Sequence, residues 1–145
     1  MLGDTCRAQK ILKDGGYTCV LLKGESRYTS RERGVKPLIS FLESGGDFSG
    51  FSAADKTVGA GAAYLYVLLG VTEVWAAVLS ESAKKVLDDN GIKTYCERLV
   101  PQIINRSGDG VCPIESAVSA ADTPKDALVI IKQTLRKLSA TPVQR

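Results

Sequence analysis

The run Glu73-Val74-Trp75-Ala76-Ala77-Val78-Leu79 constrains this fold more than any other stretch of the chain. It is almost continuously apolar, the pattern of a central strand covered on both faces. Ser80 or Ser82 then caps a helix carrying Ala83, Val86 and Leu87, and Asn90-Gly91 stops it. Ile92 to Cys96 reads as the next strand. A strand, a helix and a second strand in close succession predict a right-handed parallel crossover, and so an α/β protein.

The flanking segments extend this picture. Thr5 to Asp14 places Ala8, Ile11 and Leu12 at helical spacing before Gly15-Gly16, and Thr18 to Lys23 turns at Gly24-Glu25 into Ser26 to Ser30 as a hairpin. Val35 to Glu43 predicts a short helix. Ser52 is expected to open the main helix, with Asp55 three residues later as a capping-box partner and Gly70 as the stop. The small run Gly59-Ala60-Gly61-Ala62-Ala63 allows another backbone to approach closely. A helix begins at Pro113, and a last one has Thr123 as cap, Pro124 at its first position and Asp126 three beyond the cap. At 145 residues without repeat or linker, the expectation is one domain over 1–138 and a frayed tail over 139–145.

Composition excludes several function classes. There is no histidine, so no histidine-based triad or dyad and no histidine-ligated metal can form. Acid–base work falls to carboxylates, Lys, Tyr, Cys or water. Cys6, Cys19, Cys96 and Cys112 lack any Cys-x-x-Cys pair, and neither a dinucleotide fingerprint nor a phosphate-binding P-loop is present, so no metal and no cofactor are expected. A net charge of +3 gives no nucleic-acid footprint; its nearest approach, Lys23 to Lys36, is interrupted by Glu25 and Glu32. The longest uncharged stretch, Thr57 to Thr72, is too short to span a membrane, and the N-terminus shows no secretory signal. A cytoplasmic protein with reduced thiols is expected.

The element order, together with runs at 16–21, 32–38, 50–56, 103–106 and 112–115, carries a resemblance. Gly-Tyr-Thr-Cys-Val-Leu, Glu-Arg-Gly-Val-Lys-Pro-Leu, Gly-Phe-Ser-Ala-Ala-Asp-Lys, Ile-Ile-Asn-Arg and Cys-Pro-Ile-Glu resemble a small bacterial and archaeal family of uncharacterised proteins. More broadly the chain resembles a zinc-less branch of the cytidine-deaminase-like superfamily. The resemblance implies a three-layer α/β/α sandwich with a mixed sheet. In that superfamily zinc sits between two helix N-termini, one opening with His/Cys-x-Glu and the other with Pro-Cys-x-x-Cys. Here the two motifs fall at Ser52-Ala53-Ala54-Asp55-Lys56 and Leu79-Ser80-Glu81-Ser82-Ala83, with no thiol or imidazole in either.

The candidate site follows from that placement. Asp55 and Lys56 at a helix start offer an anion-docking point, or else a cap and a solvated lysine. Cys112, at a helix N-terminus beside Glu115, is either a nucleophile or a structural thiol, and Glu115 caps backbone N–H groups. Asn105-Arg106 before Gly108 and Gly110 is either an anion clamp or a surface turn. Trp75, Tyr64 and Tyr66 read as core or interface. Asp55, Lys56, Cys112 and Glu115 are the catalytic candidates, and Ser52, Asp55, Lys56, Ser80, Asn105 and Arg106 the ligand-binding ones. The expected occupant is a small anionic metabolite such as a nucleoside or nucleotide. The competing reading is a non-catalytic homo-oligomeric interaction module.

Overall fold

The computed structural model describes residues 1–105, 108 and 110–140. Its elements run α1 (Gly3–Gly15), β1 (Cys19–Lys23), β2 (Ser26–Ser30), α2 (Lys36–Glu43), β3 (Ser52–Val58), α3 (Ala60–Leu69), β4 (Glu73–Ser80), α4 (Glu81–Asp89), β5 (Lys93–Val100), α5 (Pro113–Ala117), a 3₁₀ turn (Val118–Ala120) and α6 (Pro124–Ala140). The five strands form one mixed sheet in the order β2-β1-β3-β4-β5. β1 pairs antiparallel with β2 and β3, while β3, β4 and β5 are parallel.

Strand alternation divides the core between the two faces. Cys19, Leu21, Ala53, Val74 and Ala76 face the layer built by α2 to α6, where Leu38, Leu65, Leu87 and Ile131 are buried. Val20, Leu22, Ala54 and Trp75 face the other way, onto Ala8 and Leu12 of α1. The arrangement is an α/β/α sandwich with a mixed sheet. Lys13 rides on the Trp75 ring at 5.2 Å, so that indole belongs to the α1 core. A buried Glu73 fastens α1 to the sheet by accepting from Leu2 N–H (2.9 Å) and Thr5 Oγ1 (2.7 Å).

Local signals located most elements. Gly24 sits at φ +59° in the hairpin turn, and Gly70 ends α3 at φ +79°. Ser80 caps α4 by accepting from Ala83 N–H at 3.1 Å, and Thr123 Oγ1 accepts from Asp126 N–H at 3.1 Å at the start of α6. That last helix runs through Ala140, beyond the expected limit at residue 138, and 141–145 lie outside the described residues.

One expectation is overturned. Ser52 does not open a helix: Ser52–Val58 is β3, the strand between β1 and β4, and α3 starts only at Ala60. Ser-x-x-Asp is a local signal, whereas β3 is held by strands on both sides. The fully buried Ala53 and Ala54 fit a sheet centre with helices packed on both faces. Gly59, with extended backbone, joins strand to helix. At the small run the close neighbours are side chains of α5 and of the segment before it, not the backbone that was expected. A Cβ on Gly61 would stand 2.5 Å from Ile114 Cγ2, and one on Gly59 3.0 Å from Ile103 Cγ1.

Candidate functional site

Where β3 ends and α3 begins, between the start of β1, the segment 33–35 and the segment 103–115, the chain leaves a cavity of about 440 Å³. Asp55, Lys56, Cys112 and Glu115 all line it, together with Cys19 and Arg33. The four catalytic candidates therefore converge, although residues 56 and 112 are far apart in sequence.

Asp55 reaches the cavity from β3. It is 7% exposed. Its Oδ2 accepts from the Tyr66 hydroxyl at 2.7 Å and its Oδ1 from Thr57 N–H at 3.2 Å. The Tyr66 oxygen also lies 3.3 Å from Cys19 Sγ. With the tyrosine proton directed at Asp55, the thiol is the donor in that second contact. Burial pushes the Asp55 carboxyl up to about 7, against the opposing pull of hydrogen bonds from Tyr66 and the Thr57 and Lys56 backbones. Burial, and next the nearby Asp55 charge, drive the Cys19 thiol and the Tyr66 phenol well above their ordinary values. Near neutrality the group that titrates in this chain of three is thus the carboxyl. Lys56 and Thr57 stand exposed at the rim.

Glu115 reaches it from α5 and is 8% exposed. Its Oε1 accepts from Ala60 N–H (2.9 Å), Ser80 Oγ (2.5 Å) and Ser82 Oγ (3.0 Å), and its Oε2 accepts from Ile103 N–H. The carboxylate therefore lies between the N-termini of α3 and α4, where free N–H groups and the helix dipoles favour a negative charge. Sequence reasoning expected Glu115 to cap backbone N–H groups. It does so, but on α3 and on the segment before α5.

The remaining candidates are placed less centrally. Ser80 is the α4 cap and a Glu115 donor, and it does not line the cavity. Ser52 is buried at the opposite end of β3, paired with Leu22 and Glu73, and takes no part in the cavity wall. Asn105 Oδ1 accepts from Gly108 N–H at 2.9 Å, closing the loop turn, and Asn105 also lies off the cavity wall. Arg106 falls outside the described residues. Cys112 precedes a helix of only five residues. Cys19 and Tyr66 were missed as site residues, since nothing in their spacing joins a strand thiol to a phenol 47 positions away.

Zinc, which the resemblance drawn from the sequence places between two helix N-termini, does not suit the residues found between those of α3 and α4. Two serine hydroxyls and one carboxylate replace thiol and imidazole ligands, and Glu115 Oε1 already receives three hydrogen-bond donors. Among the described residues no group of three or more His, Cys, Asp or Glu side chains could hold a metal.

An α/β domain whose position between two helix N-termini is filled by its own carboxylate is what the fold and site define. The sequence profile of the family described as "Domain of unknown function (DUF1893)" matches residues 7–135, and this chain belongs to that family. It is similar to the crystal structure of a DUF1893 family protein (TM1506) from Thermotoga maritima, at 25% identity and a TM-score of 0.81, covering 94% of this chain and 92% of that one. Two deaminases are more distant. The dCMP deaminase of the cyanophage S-TIM5 shows 12% identity and a TM-score of 0.47, over 66% of this chain and 99% of that chain. A diaminohydroxyphosphoribosylaminopyrimidine deaminase/5-amino-6-(5-phosphoribosylamino)uracil reductase from Thermotoga maritima shows 14% and 0.41, over 92% of this chain and 41% of that chain. No curated protein matches the chain. No described helix is long and apolar enough to cross a membrane.

Proposed function

We propose that the cavity binds a small anionic metabolite of nucleoside or nucleotide type, and that it does so without zinc. The observation that carries this reading is Asp55. A buried carboxyl, titrating near neutrality and held in place by Tyr66, faces an open cavity with Lys56 and Arg33 at its edge. A buried ionisable group with a strongly shifted pKa in a concave site is a functional-site candidate. Asp55 supplies a hydrogen-bond acceptor when ionised and a donor when protonated, so it suits a heterocycle edge presenting N–H or carbonyl groups. The apolar walls from Val35, Ala62, Ile103 and Ile114 suit its faces, and the two cations suit its charge.

Calorimetric titration with nucleosides and nucleoside monophosphates tests this. Binding that weakens at least roughly tenfold in Asp55→Asn, about 1.4 kcal/mol, is expected. No binding by any of them would sink the reading. Elemental analysis of protein purified without chelator should give well below one zinc per chain. Stoichiometric zinc would refute the metal-free part.

A homo-oligomeric interaction module is favoured by a different region. β5 ends the sheet with one edge unpaired, and Leu99 (50%) and the following Ile104 (54%) are exposed. Native mass determination decides that reading, and a strict monomer at high concentration removes it.

A further inference from the structure

A second depression, of about 380 Å³, opens along the segment between β2 and α2. It is lined by Arg31, Glu32, Arg33 and Lys36, and Arg33 also lines the main cavity, so the two adjoin through one guanidinium. Three cations against one carboxylate give the depression a charge of +2. Their surroundings hold the segment in place. The Arg31 guanidinium lies 4.3 Å from the Tyr17 ring centroid and donates from Nη2 to Gly15 O at 2.8 Å. Glu32 N–H donates to Ser30 Oγ at 3.0 Å, and the Glu32 carbonyl accepts from Thr18 Oγ1 at 2.5 Å. Arg33 and Lys36 are in no ion pair among the described residues. The N-terminus of α2, where Lys36 is the first residue, has no side-chain cap.

We propose that Arg31, Arg33 and Lys36 form a phosphoryl subsite for a ligand whose uncharged part lies in the main cavity. The proposal deepens the cavity reading and rests on it for the second half of the ligand. A monocarboxylate would neutralise one of three cations. A phosphate monoester carries about two charges near neutrality and a diphosphate about three, and their oxygens match the guanidinium fork of Arg33. The ligand class is therefore a phosphorylated metabolite, and the unphosphorylated compound binds more weakly.

The test uses the full chain, isotope-labelled, with pyrophosphate as the probe. Pyrophosphate should shift the backbone amide resonances of residues 31–38. The double variant Arg33→Ala/Lys36→Ala, exposed at both positions and expected to fold, should bind it at least roughly tenfold more weakly. Lys125→Ala, exposed on α6, should leave pyrophosphate binding unchanged. Shifts spread over distant lysines such as Lys84, Lys85 and Lys125, or unaltered binding in the double variant, would overturn the subsite. Uridine and uridine monophosphate separate the two readings. If uridine shifts the amides of residues 55–57 and pyrophosphate shifts nothing, the cavity stands and the subsite falls. If pyrophosphate binds as described and the monophosphate binds no better than pyrophosphate in both wild type and Asp55→Asn, the subsite stands and the cavity reading fails.

Discussion

Asp55 and Glu115 are both buried carboxyl groups on the wall of one cavity, yet their surroundings differ sharply. Glu115 receives two backbone N–H groups and two serine hydroxyls, and it ties together α3, α4, α5 and the segment at Ile103. Asp55 receives the Tyr66 hydroxyl and backbone donors from its own strand, and burial drives it up to about 7. A charge met by donors from four elements is a fastening. A charge met by few, and pushed toward its neutral form, remains free to exchange a proton. The contrast teaches that burial alone does not set a carboxyl's role: donors make Glu115 a fastening, and their scarcity leaves Asp55 the group that exchanges a proton.

Glu115→Ala is the harshest way to probe that contrast. It leaves four donors around an empty volume and should cost about 3–5 kcal/mol in urea unfolding. Amide exchange at Ala60 and Ile103 should accelerate with it. A loss below about 1 kcal/mol would mean that Glu115 fastens nothing.

Asp55→Asn should act through pH. The native carboxyl holds its proton up to about pH 7, whereas its ordinary value is 3.8, so the folded state binds the proton more tightly. The stability tied to that proton is complete below about pH 4 and is lost as pH rises through 7. Over the roughly three units from 3.8 to about 7, at about 1.4 kcal/mol per unit, the loss is on the order of 4 kcal/mol. The difference between wild type and Asp55→Asn, measured from pH 4 to 8, should fall by about that amount. A difference that stays flat would place the Asp55 carboxyl at its ordinary value.

Tyr66→Phe removes one donor from Asp55 and keeps the ring in the core. A cost of about 1–2 kcal/mol is expected at pH 8, shrinking at pH 5 where the carboxyl is protonated. Equal costs at both pH values would show that the hydroxyl serves packing rather than the charge. Ser82→Ala should have the smallest effect, about 0.5–1 kcal/mol, because Glu115 keeps three donors and Ser82 is exposed. A cost matching Glu115→Ala would mean that Ser82 carries the whole fastening.

Most of the fold was legible because its signals are short-range. Gly15-Gly16, Gly24, Gly70 and Asn90-Gly91 mark where elements stop, and Ser80 and Thr123 mark where two helices start, each through contacts within a few residues. The site was legible only in part. Asp55, Lys56, Cys112 and Glu115 were singled out, yet Asp55 and Lys56 for a reason that failed, since they belong to a strand and not to a helix cap. Tyr66 reads as core by composition, and its ring is core; only its hydroxyl, 2.7 Å from Asp55, makes it part of the site. Asn105 reads equally as clamp or turn, and its side-chain acceptor is engaged by Gly108.

The sequence by itself determined the order of elements outside 52–58, the parallel crossover and the lack of any histidine ligand, because each depends on neighbours along the chain or on composition alone. The tertiary structure decided three things. It made 52–58 a central strand, because β1 and β4 bond it from both sides. It carried Glu115 across 55 positions to Ala60 N–H. It set Cys19, Tyr66 and Asp55 in one hydrogen-bonded chain. Contacts that join residues far apart leave no local period or cap to read, and only the packed sheet and helices bring their atoms within bonding distance.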